Sequence, residues 1–548
     1  METLIDRFKD TYFSYFPERA TFLGEHKYDS LLGLWDKDGV KEKLNFLNHY
    51  RDLVKNNMET GAQILKNICE SHIFHIKKVK PYLRPDFFVS YALQSIDRNI
   101  FLLNATNDKK LQDDLANSLV ARVSLFPILF EHSRQWLKQS DPISMGLALY
   151  EVTYFRQFLE TSYRQFIYRL DIGPSSKEKL MGVIPFTLEN LNRFEAFLHT
   201  LEQVPLESGI FRRSKNFYQS LFKHKYMIDC SPSTLVKRTT TEIERLTADL
   251  NDIACGDVIG YHENLIKENA FPYSGNTTNE KLLGYFMKQT QEYVDACMDT
   301  GHFPAISVPK IDWTPSYKQK SSPLAAYIDR GPYERILDGG IFWVTPVPEQ
   351  ISRKQYEGLT SLYHRQFMNS ITIHEVIGHH LASENLEKNL DTAFAFSSNL
   401  TYDEGFALYV EEEFTRFYVD YAKISDHEKN QMLFFQKKAA LLRAYRVIVD
   451  IGLGTGEMDI DEASKLYADK NNFPITTARN ECEKYYLNPG TASSYFIGKL
   501  EISNIRNLLE TKLDKDFSLP RFHKLLVSFG SIPIAMIRRR IIEEVLRE

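Results

Sequence analysis

The sequence predicts a mainly α-helical protein with one small β element. Apolar residues recur three and four apart over long stretches, as in Leu44, Leu47 and Tyr50 and again in Leu149, Val152, Phe155 and Leu159. Only between about Ile306 and Pro346 are prolines and glycines dense and apolar runs short. The helical pattern returns after Pro348 and continues nearly to the end.

The elements follow in chain order. Lys41 to Leu170 reads as helices, ending at the break Gly173-Pro174-Ser175-Ser176. Leu180 to Leu201 and Thr240 to Ile253 read as further helices, with turns at Gly275-Asn276-Thr277 and Gly301-His302-Phe303-Pro304. Ile341-Phe342-Trp343-Val344-Thr345 is the best strand, and Leu324-Ala325-Ala326-Tyr327-Ile328 a weaker one. Residues 1–305 are expected to form a helical N-terminal lobe and 306–548 a second lobe. No low-complexity linker separates them, which predicts two lobes of one body.

Composition excludes several functions. Net charge is −5 over 548 residues, without the broad basic face that nucleic-acid binding needs. Arg538-Arg539-Arg540 lies in an apolar-periodic stretch and reads as the wet face of a last helix. The five cysteines are scattered without a CxxC pair, which argues against a disulfide framework and excludes a cysteine-rich zinc site. The first seven residues carry two acids, no long apolar run follows, and nothing approaches a membrane span. A cytoplasmic protein without a membrane partner is expected.

The segment His374-Glu375-Val376-Ile377-Gly378-His379 carries the chemistry. It is one residue longer than HExxH, in which two histidines a helical turn apart face a metal and the glutamate acts on water. Five residues apart on a regular α-helix, side chains diverge by about 140°. A π-bulge restores a common face. A distortion is therefore expected near Ile377-Gly378, where glycine accepts it most easily. His380 is the rival second ligand. Glu404 is the expected third ligand, and Glu411, seven residues on and on the same helix face, could orient a ligand histidine. Asp403 points elsewhere and reads as a first-turn acid. His364 and His523 read as structural.

The ordered motifs resemble the family catalogued as domain of unknown function 885, whose pattern is HExxPGHHLQ, EGWALYAE and a late EVxRYxxxPGQAxxYxxG. Here they read HEVIGHHLAS (374–383), EGFALYVE (404–411) and ECEKYYLNPGTASSYFIG (481–498). FSLPRFHKLLVSFGSIP (517–533) and the early Phe16-Pro17-Glu18-Arg19-Ala20-Thr21-Phe22-Leu23-Gly24 match as well, so the resemblance spans nearly the whole chain. The family's proline before Gly-His-His is absent, Phe406 replaces a tryptophan and Thr491 a glutamine. The shortened spacing is similar to that of dipeptidyl peptidase III, which supports His374 and His379 as the pair. The resemblance places the chain among gluzincin metallopeptidases. It implies a bilobed, helical, zincin-like fold with the small β element beside a deep cleft.

The expected activity is zinc-dependent hydrolysis of small peptides, with one Zn²⁺ per chain held by His374, His379 and Glu404. Glu375 would take a proton from water and pass it to the leaving amine. Tyr495 or Tyr485, at positions the family also fills with tyrosine, would donate to the oxyanion, with Tyr495 favoured. Strand 341–345 could pair with an extended substrate. Lys499 reads as a solvated lysine, with pairing to a substrate carboxylate as its other reading. A zinc hydrolase of a non-peptide amide or ester, and a non-catalytic binding protein, are the competing functions.

Overall fold

The computed structural model describes residues 2–206, 213–319, 322–388, 392–395 and 397–546. Helices dominate these residues, and the strands among them form one two-stranded and one three-stranded sheet. The chain divides into two compact units. The first comprises residues 1–212 with 330–338 and 391–396, and the second 213–329, 339–390 and 397–548.

The boundary expected at 305/306 falls inside the second unit. Helix α1 (Lys215–Tyr226) is tied to the C-terminal helices by hydrogen bonds from Tyr218 Oη to Asp450 Oδ1 (2.7 Å) and from Tyr226 Oη to the Gly490 carbonyl (3.3 Å). The change of composition near Ile306 marks the approach to a sheet, not a division of the chain.

The first unit is helical, with a parallel pairing of β1 (Gln139–Ser140) and β2 (Glu202–Gln203). Its centre is organised by the buried Arg122. That guanidinium donates to the carbonyls of Leu31, Ser95 and Tyr28, to Asn99 Oδ1 and to Thr21 Oγ1, over 2.6–3.0 Å. All five N–H donors of the fork are used, which offsets the cost of burying the charge.

In the second unit, β3 (Lys310–Trp313), β4 (Ala325–Ile328) and β5 (Ile341–Val344) form a sheet in the order β3-β5-β4. The fully buried β5 runs parallel to β3 and antiparallel to β4. The strongest strand of the sequence is thus central, with both edges paired. It cannot take the added substrate strand expected of it, and β4 is an edge strand instead.

Six helices and a π-helical segment carry the motifs singled out in the sequence. Helix α2 (Arg365–Thr372) runs into a π-helical segment, Ile373–His380, and out into α3 (Leu381–Lys388). Helices α4 (Leu400–Tyr421), α5 (Asp426–Thr455), α6 (Ile475–Leu487) and α7 (Thr491–Leu513) follow. Two glycine contacts set their spacing. A Cβ at Gly378 would lie 2.8 Å from the Cβ of Ala407, and one at Gly405 would lie 2.5 Å from the Cα of Gly498. The π segment therefore lies directly on α4, and α4 on α7. Gly378 is not among the residues with positive φ. Its role is close packing rather than the backbone freedom expected of it.

Candidate metal centre

The π segment carries out what the spacing of His374 and His379 demands. Hydrogen bonds from residue i+5 to residue i widen the turn, so side chains five apart share a face. The imidazole centroids lie 4.8 Å apart, with the two Nε2 atoms separated by 3.2 Å. Glu404, near the start of α4, brings Oε2 to 3.5 Å from His374 Nε2 and 3.7 Å from His379 Nε2. Among the described residues, this is the one group of three histidine, cysteine or acidic side chains able to hold a metal ion.

These distances fit a single ion. Zinc bonds of about 2.0–2.2 Å to imidazole nitrogen and carboxylate oxygen place tetrahedral ligand atoms about 3.3–3.6 Å apart. Two imidazoles and a carboxylate are also a catalytic zinc donor set, which leaves one position for water or substrate. Beneath the triangle, His374 Nδ1 is 2.7 Å from Oε1 of the buried Glu411. Glu411 accepts the Nδ1 proton, so the Nε2 lone pair faces the triangle. Arg443 lies 3.6 Å behind Glu411.

The electrostatics follow from this packing. Burial alone would raise the Glu404 carboxyl, but the hydrogen bond with His374, the His379 imidazole and the Tyr495 hydroxyl hold it down at about 2. Burial would lower the His374 imidazole, but Glu404 and Glu411 outweigh it and raise it to about 10. Glu411 is pushed up by burial and brought below its usual range chiefly by Arg443 and His374.

The neighbouring residues of the π segment, Glu375 and His380, meet Tyr327 of β4. Glu375 Oε2 accepts the Tyr327 backbone N–H at 2.7 Å. His380 is buried, with Nδ1 3.1 Å from Tyr327 Oη and Nε2 2.9 Å from the Ser307 carbonyl. The structure thus brings His379, and not its rival His380, to His374 and Glu404.

The remaining expectations divide. Tyr495, on α7, is close enough to Glu404 for each to shift the other's ionisation, and its ring lies under the Arg446 guanidinium. Tyr485, on α6, is not brought there. It packs with Val449, Tyr467 and Cys482, and its hydroxyl donates to Glu481 at 2.9 Å. The Pro489-Gly490 turn puts these two tyrosines on separate helices that present different faces. Lys499 is neither solvated nor open to a substrate, because it is buried in an ion pair with Glu412. His523 is structural, accepting from Tyr409 Oη (3.0 Å) and donating to the His302 carbonyl (2.8 Å). His364 caps α2 through the Phe367 N–H. Asp403 is the first-turn acid of α4, which Asn399 caps. Sequence reasoning missed Tyr327 and Arg443. For Tyr327 the weak strand signal over 324–328 was present, but nothing local linked it to Glu375.

All five cysteines are free thiols. No helix among the described residues is long and apolar enough to cross a membrane. Two solved structures share the fold. One, described as "a putative lipoprotein of unknown function from Shewanella oneidensis", is 18% identical with a TM-score of 0.77, and the match covers 98% of this chain and 99% of that one. The other, described as "the putative lipoprotein from Colwellia psychrerythraea", is 19% identical with a TM-score of 0.79, covering 100% and 99%. The cytoplasmic location expected from the N-terminal sequence is not upheld, since both of these neighbours are described as putative lipoproteins. No curated protein matches the sequence. The family described as bacterial protein of unknown function (DUF885) matches residues 17–541, and with nearly its whole length covered the chain belongs to that family.

Proposed function

We propose that the chain is a zinc-dependent hydrolase of peptide bonds in small peptides. One observation carries this reading: the three donor atoms of His374, His379 and Glu404 lie 3.2–3.7 Å apart, and Glu375 follows the first of them in sequence. Zinc held by this donor set supplies Lewis acidity toward a carbonyl oxygen and toward water.

The chain's own residues supply the rest. The Tyr327 N–H fixes Glu375 Oε2, which leaves Oε1 to take the proton of an attacking water and return it to the leaving amine. Tyr495 is kept protonated by burial and by the Glu404 charge, so it remains a donor for an oxyanion. Glu411 and Arg443 hold the His374 ring in place.

The edge strand supports a peptide substrate. The Thr345 N–H donates to the Leu324 carbonyl, and antiparallel bonds alternate, so the polar groups of Ala325 and Tyr327 point away from β5. An extended peptide laid along that edge would pair with Ala325, since Glu375 already holds the Tyr327 N–H, and would pass beside Glu375.

The deciding experiment is digestion of a mixed peptide library by the zinc-loaded protein and by Glu375→Gln, read by mass spectrometry. Cleavage by the wild type alone is expected. Equal cleavage by both, or cleavage by neither, would overturn the reading.

A further inference from the structure

The five-residue step of the π segment is used twice. His374 and His379 meet Glu404, while Glu375 and His380 meet Tyr327. Tyr327 is held at both ends, its backbone N–H by Glu375 and its hydroxyl by His380. The His380 tautomer is fixed, because Nε2 faces the Ser307 carbonyl and must donate to it. Nδ1 is therefore an acceptor, and the Tyr327 hydroxyl donates to it.

The surroundings make this grip rigid. Glu384 Oε2 accepts the Ser307 N–H at 2.8 Å, so the carbonyl that orients His380 is itself anchored. The Tyr327 ring lies against Gly340, where a Cβ would fall 1.9 Å from the Tyr327 hydroxyl. Any side chain at residue 340 would displace the ring. Tyr327 also pairs across the ladder with Phe342 of the buried β5.

We propose that His380 is a positioning residue for Glu375 and acts through Tyr327. The imidazole holds the tyrosine ring, the ring sets the position of the β4 backbone, and the Tyr327 amide holds one oxygen of the Glu375 carboxylate toward the metal face. The motif's second adjacent histidine thus has a role apart from metal binding. This inference rests on the hydrolase reading above.

The test uses the full-length zinc-loaded chain with Tyr327→Phe, His380→Leu and His380→Gln, and with Glu375→Ala as the control that frees the amide. Hydrogen exchange at the Tyr327 amide is followed by mass spectrometry on overlapping peptides, zinc content is measured in parallel, and kcat and KM are taken on a library peptide that the wild type cleaves. Glu375→Ala, Tyr327→Phe and His380→Leu should each speed exchange at Tyr327 by about tenfold or more, since the amide loses its partner or its anchor. Zinc should stay at one per chain in the Tyr327 and His380 variants, with kcat down about tenfold and KM within about threefold. His380→Gln, which keeps an acceptor for the phenol, should recover part of both effects.

Exchange at the wild-type rate in both Tyr327→Phe and His380→Leu would overturn the proposal, as would a loss of kcat that tracks a loss of zinc. A wild type that cleaves no peptide would remove the hydrolase reading alone, and the exchange rates would still decide whether His380 holds Tyr327 against Glu375.

Discussion

Gly405 and Gly498 meet backbone to backbone. A Cβ on Gly498 would lie 1.9 Å from the Thr401 carbonyl oxygen, so α4 and α7 cross at a distance that only hydrogen side chains permit. Glu404 is adjacent to this crossing and Tyr495 is one turn before it, which makes the crossing the scaffold of the candidate metal centre. Gly498→Ala should cost about 3 kcal/mol and reduce retained zinc, because the contact is with backbone that cannot swing aside. Thermal unfolding and metal analysis of the variant would check both effects, and an unchanged melting temperature would count against the crossing.

Removing a ligand should remove the metal. Purified wild type is expected to hold about one zinc per chain. His374→Ala and Glu404→Ala should hold almost none, while His380→Leu should keep its full complement. Glu411→Gln keeps an acceptor for His374 Nδ1 but loses its charge, and should weaken zinc affinity about 10–100-fold in a chelator competition.

The two tyrosines of the late motif should behave differently. Tyr495→Phe is expected to lower kcat by about 100-fold with little change in KM and no loss of zinc, as loss of one oxyanion donor does. Tyr485→Phe removes one donor to Glu481, which keeps that of Lys484, and should cost about 1 kcal/mol of stability with kcat intact. Equal kinetic effects in the two variants would contradict the assignment.

His523 gives the second unit a definite acid response. Burial holds its imidazole down at about 3, although the His302 carbonyl and nearby charges also act on it. Its usual value in an unfolded chain is about 6.5. The folded state therefore binds fewer protons than the unfolded one between these values. The stabilisation is complete above pH 6.5 and is lost as pH falls toward 3, with a slope approaching 1.4 kcal/mol per pH unit. His523→Leu should lose about 1–3 kcal/mol at pH 7.5, because the Tyr409 hydroxyl loses its acceptor, and should show a shallower fall between pH 6 and 4. Denaturant titrations at several pH values would read the difference in slope.

Much of the candidate metal centre was legible because helix arithmetic is local. Two histidines five apart cannot serve one ion on a regular helix, so His374 and His379 required the distortion found over Ile373–His380. Glu404 and Glu411 were legible for the same reason, being two turns apart on one face. Tyr327 was not, because its backbone N–H reaches the Glu375 side chain across 48 residues, which leaves no local periodic trace. The hydrophobicity of β5 was correctly read as a strand, yet a strand with both edges paired reads like one with an open edge. Tyr495 was favoured over Tyr485, but the turn between them, which fixes the way each helix faces, left no trace in the spacing. The division of the chain was misplaced because a change in composition marks a change in local structure, whereas compact units are set by long-range contacts such as that of Tyr218 with Asp450.

The doubled five-residue step of the π segment constrains how this stretch of gene can vary. One backbone distortion sets both the metal pair and the pair that grips Tyr327. A single-codon insertion or deletion between Glu375 and His379 would rotate both second members out of place together, and no side-chain replacement elsewhere could restore one without the other. Gly378 is therefore free to change in kind only within the room left by α4, and a change in number, as in the longer HExxPGHH of the family, calls for a different backbone at this point.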